Sequence, residues 1–306
     1  ILIYISLNSY DKTDTDMMDS TQASTRNLIG IYEKALPYSQ SWQKRLEMAK
    51  NIGFDYVELS IDEDENRISR LDWSASQKQE LQTIAINTGI PFLSMSLSGH
   101  RKYPLGSADP AIRQKSRDML AKAIDLACTL GIRIVQLMGY WVFYETITPQ
   151  SGEYFMEGLR WGVERAARSG VMLGVENVEG RQHISSITQA MDYVHAINSP
   201  WFQLYSDFAN LCALGYDVLS ELEKGKGHFV AIHVKDAKPG QVRRIPFGTG
   251  CVNFVDAFNK LAQLGFHGPF MIEMWNDDAP ESEQIIRSAY IQTVQYLQQS
   301  SYGSIQ

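Results

Sequence analysis

One phrase recurs four times along this chain: an amphipathic helix runs into a glycine, two to five residues pass, and a short apolar strand ends on a polar side chain. The copies are LEMAKNIGFDYVELS, AIDLACTLGIRIVQLM, VERAARSGVMLGVE and LAQLGFHGPFMIE. Gly53, Gly131, Gly170 and Gly265 stand where each helix must stop, since glycine enters the left-handed conformation of a helix C-cap without a Cβ clash. Helix then strand, repeated, predicts parallel β/α units.

Strand patterns at GIYEK (30–34), YVELS (56–60), FLSMS (92–96) and IVQLM (134–138) precede four more that end at Glu176, Asp207, His233 and Glu273, which makes eight. Helical patterns lie between them. In AIRQKSRDMLAKAIDLACTL, residues Ile112, Met119, Ala123, Ile124, Ala127 and Leu130 recur at helical spacing and would cover one face. An open doubly wound sheet would want a phosphate-binding glycine fingerprint after its first strand, which GIYEKALP lacks. The expected fold is a single (β/α)8 TIM barrel over residues 28–306, a length one such domain routinely fills. Residues 1–27 are polar, rich in Ser and Thr and without period, and are expected to lie outside that fold as an N-terminal tail.

In such barrels the chemistry sits at the C-terminal ends of the strands. Glu176, Asp207, His233 and Glu273 all fall there, and their spacings of 31 (207 minus 176), 26 (233 minus 207) and 40 (273 minus 233) each span one β/α unit. Three oxygen donors and one imidazole suit a single divalent ion such as Zn²⁺, Mn²⁺, Co²⁺ or Mg²⁺. Side-chain alternation turns Met172 and Gly174 inward with Glu176, Gln203 and Tyr205 inward with Asp207, and Lys235 to the side of His233. Taken alone, each acid has an ordinary alternative use as a helix cap or arginine partner; the ordered quartet points to metal.

A glutamate bound through one oxygen keeps the other free for a proton. Glu176 and Glu273, on the fifth and eighth strands, would flank a chelated ketose and serve as the catalytic pair. The ion stabilises the enediolate left when the adjacent carbon loses its proton, and one base on each face gives epimerisation. Other expected substrate contacts are His100 after the third strand, Glu58 at the end of the second, Glu179 after the fifth, and Lys235. His183 is a weaker rim candidate. A phosphate would be met by the loop HVKDAKPGQVRRIPFGTGCVNF, through Arg243 and the backbone at Gly248 and Gly250, with His100, Arg101 and Lys102 as a second candidate.

The totals narrow the function classes. A net charge of −7 and a pI near 5.4 offer no broad basic surface for nucleic acid. No apolar run approaches the roughly 20 residues of a membrane span. Cys128, Cys212 and Cys251 are too few and scattered for a disulfide framework and are expected to be packing residues in a reducing cytoplasm. The expected partner is a small molecule, with no nucleic acid and no membrane, and a homodimer is open to the chain.

GIYEKALP, RLDWS, LSGHRKYPLGS, SPWFQLYSDFANL, HVKDAKPG, IPFGTGCVNF and IEMW together resemble the xylose-isomerase-like barrels, and within them the L-ribulose-5-phosphate (L-xylulose-5-phosphate) 3-epimerases of bacterial L-ascorbate and related sugar breakdown. The resemblance runs from about residue 29 to the end. It implies a divalent-metal 3-epimerase with Glu176, Asp207, His233 and Glu273 as ligands and the two glutamates as acid and base. Related epimerases of free sugars carry a histidine shortly after the aspartate ligand; Asn210 stands here, which favours a phosphorylated sugar. The alternatives are a 3-epimerase or aldose–ketose isomerase of an unphosphorylated sugar, an endonuclease-type barrel, and a non-catalytic sugar-binding protein.

Overall fold

The computed structural model describes residues 26–276 and 278–304; residues 1–25, the bulk of the expected tail, lie outside it. Eight parallel strands close into one barrel in sequential order. They are β1 (Ile29–Tyr32), β2 (Tyr56–Ser60), β3 (Phe92–Ser96), β4 (Ile134–Met138), β5 (Met172–Glu176), β6 (Phe202–Asp207), β7 (Phe229–Val234) and β8 (Phe270–Ile272). Around them run α1 (Trp42–Ile52), α2 (Glu65–Ile68), α3 (Ala75–Thr88), α4 (Pro110–Leu130), α5 (Ser151–Ser169), α6 (Ile187–Ile197), α7 (Phe208–Ala213), α8 (Val218–Lys224), α9 (Phe254–Gln263) and α10 (Ser282–Gln299). β1 is shorter than the sequence pattern implied. Glu33 and Lys34 leave it for a single 3-10 turn over Glu33–Ala35.

The helices stop where the glycines predict. Gly53, Gly131 and Gly170 cap α1, α4 and α5 with φ of 120°, 75° and 67°, and Gly265, φ 75°, follows the cap of α9 by one residue. Each helix turns an apolar stripe to the strands. α5 buries Phe155, Leu159, Val163 and Ala166, one per turn. On α4, Met119, Ala123, Ile124 and Ala127 are buried as expected, joined by Leu120 and Leu126, while Ile112 and Leu130 are half-buried. This layer between strands and helices forms the main core, and each fully enclosed Leu or Phe contributes roughly 1.5–3 kcal/mol by leaving water.

Strands covered on both faces read as continuous buried runs instead of alternating ones, as in β2 and β4. The barrel interior holds its own cluster, with Tyr56, Ile134, Tyr205, Ala231 and Met271 packed together and Met172 against them. Gly30 makes room for it: a Cβ there would sit 2.2 Å from the Tyr56 ring. At the N-terminal end of the strands, Arg26 forks onto Asp55 at 2.6 and 2.9 Å, and Asn27 donates to the Gly268 carbonyl at 2.7 Å. Both residues, assigned to the tail from sequence, hold the rim of the barrel.

The expectation of three unpaired cysteines is corrected. Cys212 on α7 and Cys251 in the loop after β7 are joined as a disulfide, Cα atoms 6.3 Å apart, because consecutive strand-end loops meet at the rim; Cys128 is free and exposed. No helix among the described residues is long and apolar enough to cross a membrane.

Candidate metal centre

The ends of β5, β6, β7 and β8 bring Glu176, Asp207, His233 and Glu273 into one buried cluster whose potential ligand atoms all lie within 4.8 Å of one another. Glu273 is the residue immediately after β8, and the other three lie within their strands. From His233 Nδ1 the distances are 3.1 Å to Glu176 Oε1, 3.5 Å to Glu273 Oε2 and 3.9 Å to Asp207 Oδ2. Ligands each about 2.1 Å from one ion stand about 3.0 Å apart at right angles and about 3.4 Å apart at the tetrahedral angle. The separations to Glu176 and Glu273 match that spacing and the one to Asp207 is about half an ångström wider, so the four groups suit a single divalent cation in chemistry and come close to it in spacing.

Asp207 divides its work between its two oxygens. Oδ1 caps α7 by accepting from the Ala209 and Asn210 amides at 2.8 and 3.0 Å. Oδ2 faces the cluster, 2.6 Å from Lys235 Nζ. Asn177 clamps the backbone at Asp207 on both sides, donating to its carbonyl at 2.7 Å and accepting from its amide at 3.0 Å. Asn210 donates in turn to the Asn177 carbonyl at 2.9 Å, so at this position the side chain braces the loop. Lys235 enters the site as alternation predicts, and its ammonium bridges Asp207 and Glu273, each at 2.6 Å. Gln136 donates to Glu176 Oε2 at 2.6 Å.

These neighbours separate the two glutamates. Burial pushes the Glu176 carboxyl up to about 7 against the pull of His233. Glu273 is equally buried, yet Lys235 and His233 hold it well below the usual carboxylate range. Two carboxyls driven in opposite directions beside one substrate site are what an acid and a base require. Burial raises Asp207, opposed by Lys235. His233 is raised because Glu273 and Glu176 outweigh its burial.

The other expected contacts distribute differently. His100 is buried with Nε2 3.3 Å from the Ser116 carbonyl of α4, and burial lowers it to about 4. Glu58 lies fully enclosed inside the barrel beneath His233, holding Ser94 and Tyr205, and does not reach the rim. Glu179 and Arg243 do stand at the mouth, 3.4 Å apart, with Arg243 over the Trp275 ring. In the loop after β7 the Gly250 amide donates to Asp236 Oδ2 at 2.8 Å and the Val252 amide to Asp236 Oδ1 at 3.3 Å, so a built-in carboxylate already takes two of the loop's amides. A Cβ at Gly250 would meet Asp236 at 2.1 Å. His183 packs edge-on against Tyr140.

Arg101, part of the second phosphate candidate, lies over Tyr140 and Phe143, at 5.6 and 5.2 Å, with its buried Nε unpartnered. One feature escaped the sequence. At the ends of β1 and β2, Glu33 and Asp62 face Lys34, Arg45, Arg67 and Arg70, four cations to two carboxylates. The surrounding arginines keep Glu33 low despite its burial. The run ENRISRLDW carries two of these arginines, but nothing local says they turn inward. Beside Lys235 and Glu273 a cavity of about 440 Å³ opens, walled by Phe247, Trp275, Ile285 and Gln292, within the size range of small-molecule sites.

The chain matches the family described as xylose isomerase-like TIM barrel over residues 46–293. It is 47% identical over 253 residues to an L-ribulose-5-phosphate 3-epimerase of Escherichia coli O157:H7, covering 83% of this chain and 89% of that protein. A protein of the same name from Shigella boydii serotype 18 is 46% identical over the same shares. Among solved structures, an L-ribulose 3-epimerase superposes with a TM-score of 0.74 at 19% identity, covering 91% of this chain and 97% of that one. A xylose isomerase-like barrel from Mycobacterium smegmatis, solved in complex with magnesium, gives 0.68 at 18% identity, covering 93% and 99%. At such low identity these two superpositions speak for the fold.

Proposed function

Because the chain belongs to the xylose isomerase-like TIM-barrel family, and within it to the L-ribulose-5-phosphate 3-epimerases, we propose that it interconverts L-ribulose 5-phosphate and L-xylulose 5-phosphate by moving the proton at C3. The observation that carries this reading is the pair of glutamates at the ends of β5 and β8, gathered with Asp207 and His233 in one buried cluster. Glu176, Asp207, His233 and Glu273 would hold a divalent ion, which would supply positive charge against the negative charge that develops on the sugar as C3 loses its proton. One glutamate takes that proton, and the other delivers one to the opposite face, which inverts C3. With Glu176 raised and Glu273 held ionised, the pair starts in complementary states, and each positioned acid or base contributes about 10² to 10⁴ in rate. Lys235 steadies Glu273 and Gln136 orients Glu176, both by hydrogen bonds at 2.6 Å.

For the 5-phosphate, the surplus of positive charge at the ends of β1 and β2 is a stronger pull than the loop after β7, whose amides Asp236 already occupies. We assign the reaction to breakdown of L-ascorbate and related sugars. The test compares kcat/KM for L-ribulose 5-phosphate and for free L-ribulose. One or two charge-assisted hydrogen bonds of roughly 1.5–3 kcal/mol each predict a preference of about a hundredfold for the phosphate ester, narrowed by Arg67→Gln. Equal turnover of the two sugars would reject this substrate in favour of an unphosphorylated ketose.

A further inference from the structure

The four-ligand cluster leaves one nitrogen of its histidine unexplained. His233 turns Nδ1 toward the three carboxylates, and its Nε2 points down into the barrel, buried and without a hydrogen-bond partner. Directly opposite, 3.4 Å away, is Glu58 Oε1, also buried and also without a partner. Two orphaned polar atoms facing each other in a dry interior are costly unless they serve each other, and a few tenths of an ångström would close the bond. The other oxygen of Glu58 is already fixed. Oε2 accepts from the Tyr205 hydroxyl at 2.6 Å and from Ser94 Oγ at 2.7 Å, and the Tyr205 ring packs edge-on to His233 with centroids 4.6 Å apart.

The strands are built around this contact. The β2–β3 ladder shifts register between Val57 and Glu58, and the β6–β7 ladder shifts between Leu204 and Tyr205. Such irregularities re-aim side chains near functional sites. Here they flank the acid and the tyrosine that holds it. A carboxylate at the end of a strand could serve substrate; a carboxylate sealed beneath the site with no exposure can act only through what covers it.

We propose that Glu58 is a positioning residue for the metal centre: by accepting the Nε2 proton of His233 it fixes the tautomer in which the Nδ1 lone pair faces the ion, and it holds the ring in the plane that ligation needs. The inference rests on the reading of the quartet as a metal site. It also gives Glu58 a role the rim-contact expectation did not foresee. A ligating imidazole whose second nitrogen is held by an acid is a more basic, better oriented donor, and loss of such a partner commonly costs 10- to 100-fold in metal affinity.

The test uses the full chain, stripped with a chelator and titrated with Zn²⁺ or Co²⁺ against a competing chelator, in parental protein and in Glu58→Gln. In the variant the side-chain oxygen is claimed by the Tyr205 and Ser94 hydroxyls, which turns the amide N–H toward Nε2 and drives the ring proton onto Nδ1. Affinity is expected to fall 10- to 100-fold, with an altered visible spectrum of the Co²⁺ form and unchanged thermal unfolding of the metal-free protein. Should Glu58→Gln fail to fold, long-range ¹H–¹⁵N correlations of histidine in the Zn²⁺-loaded parental protein decide: Nδ1 metallated and Nε2 protonated is the expected pattern. Equal affinity in a folded Glu58→Gln protein, or Nε2 as the metallated atom, would overturn the proposal while leaving the metal reading intact. A parental protein that binds neither ion would overturn both.

Discussion

At the scale of single residues, the site is governed by how few charges share a dry space. Glu176, Asp207, Glu273, His233 and Lys235 are all buried, each within hydrogen-bond or ion-pair range of at least one other, so their proton affinities are linked. Glu176 carries the clearest consequence. With its carboxyl raised to about 7, it holds a proton below that pH and its oxygen cannot ligate. A cation must displace that proton, so affinity rises as pH climbs through 7, and it goes on rising above 7 because His233, raised by Glu273 and Glu176, must also shed a proton to ligate. The ionised fraction changes from about a tenth at pH 6 to about nine tenths at pH 8, which predicts at least a roughly ninefold tighter binding at the higher pH. Calorimetric titration of the stripped protein with Mn²⁺ at the two pH values checks this, and a pH-independent affinity would remove the raised Glu176 from the account. His100 stands apart from this chemistry. Lowered to about 4 and bound to a backbone carbonyl, it remains neutral across the working range.

At the scale of elements, short strands ending in polar residues do the positioning and glycines supply the clearance. Gly30 on β1 is the most demanding case, because the Tyr56 ring fills the space its side chain would take and Tyr56 in turn donates to the Phe270 carbonyl at 3.1 Å across the barrel. Gly30→Ala is therefore expected to lower stability by about 1–3 kcal/mol through overpacking, read as a lower denaturant midpoint with an unchanged slope. An unchanged midpoint would mean that the interior yields more easily than its packing implies. The loop after β7 makes a related point. Its glycines look in sequence like a phosphate cradle, yet Asp236, two residues past the end of β7, takes the amides of Ala237, Gly250 and Val252. A Gly-x-Gly run states that backbone can approach something closely; it does not state what.

At the scale of the whole molecule, the barrel was legible because helix, glycine and strand follow one another with a period set by parallel units, and the quartet because barrel topology brings four successive strand ends to one mouth. Glu58 was harder to read. Its side chain is placed by register shifts in two ladders, which leave no trace in hydrophobic pattern. The cation surplus at β1 and β2 was hidden for a similar reason, since Arg45, Arg67 and Arg70 converge from α1, α2 and the turn after it only once the helices are packed. The cysteine pair joins residues 39 apart in sequence that only the closed rim brings together. What the assembled molecule claims is that two carboxylates work on opposite faces of one carbon. The most direct measurement is epimerisation of L-ribulose 5-phosphate in deuterium oxide, stopped early and read by mass spectrometry: the account predicts one deuterium at C3 of the L-xylulose 5-phosphate formed, with the remaining substrate still largely unlabelled, whereas product that keeps its original C3 hydrogen would contradict it.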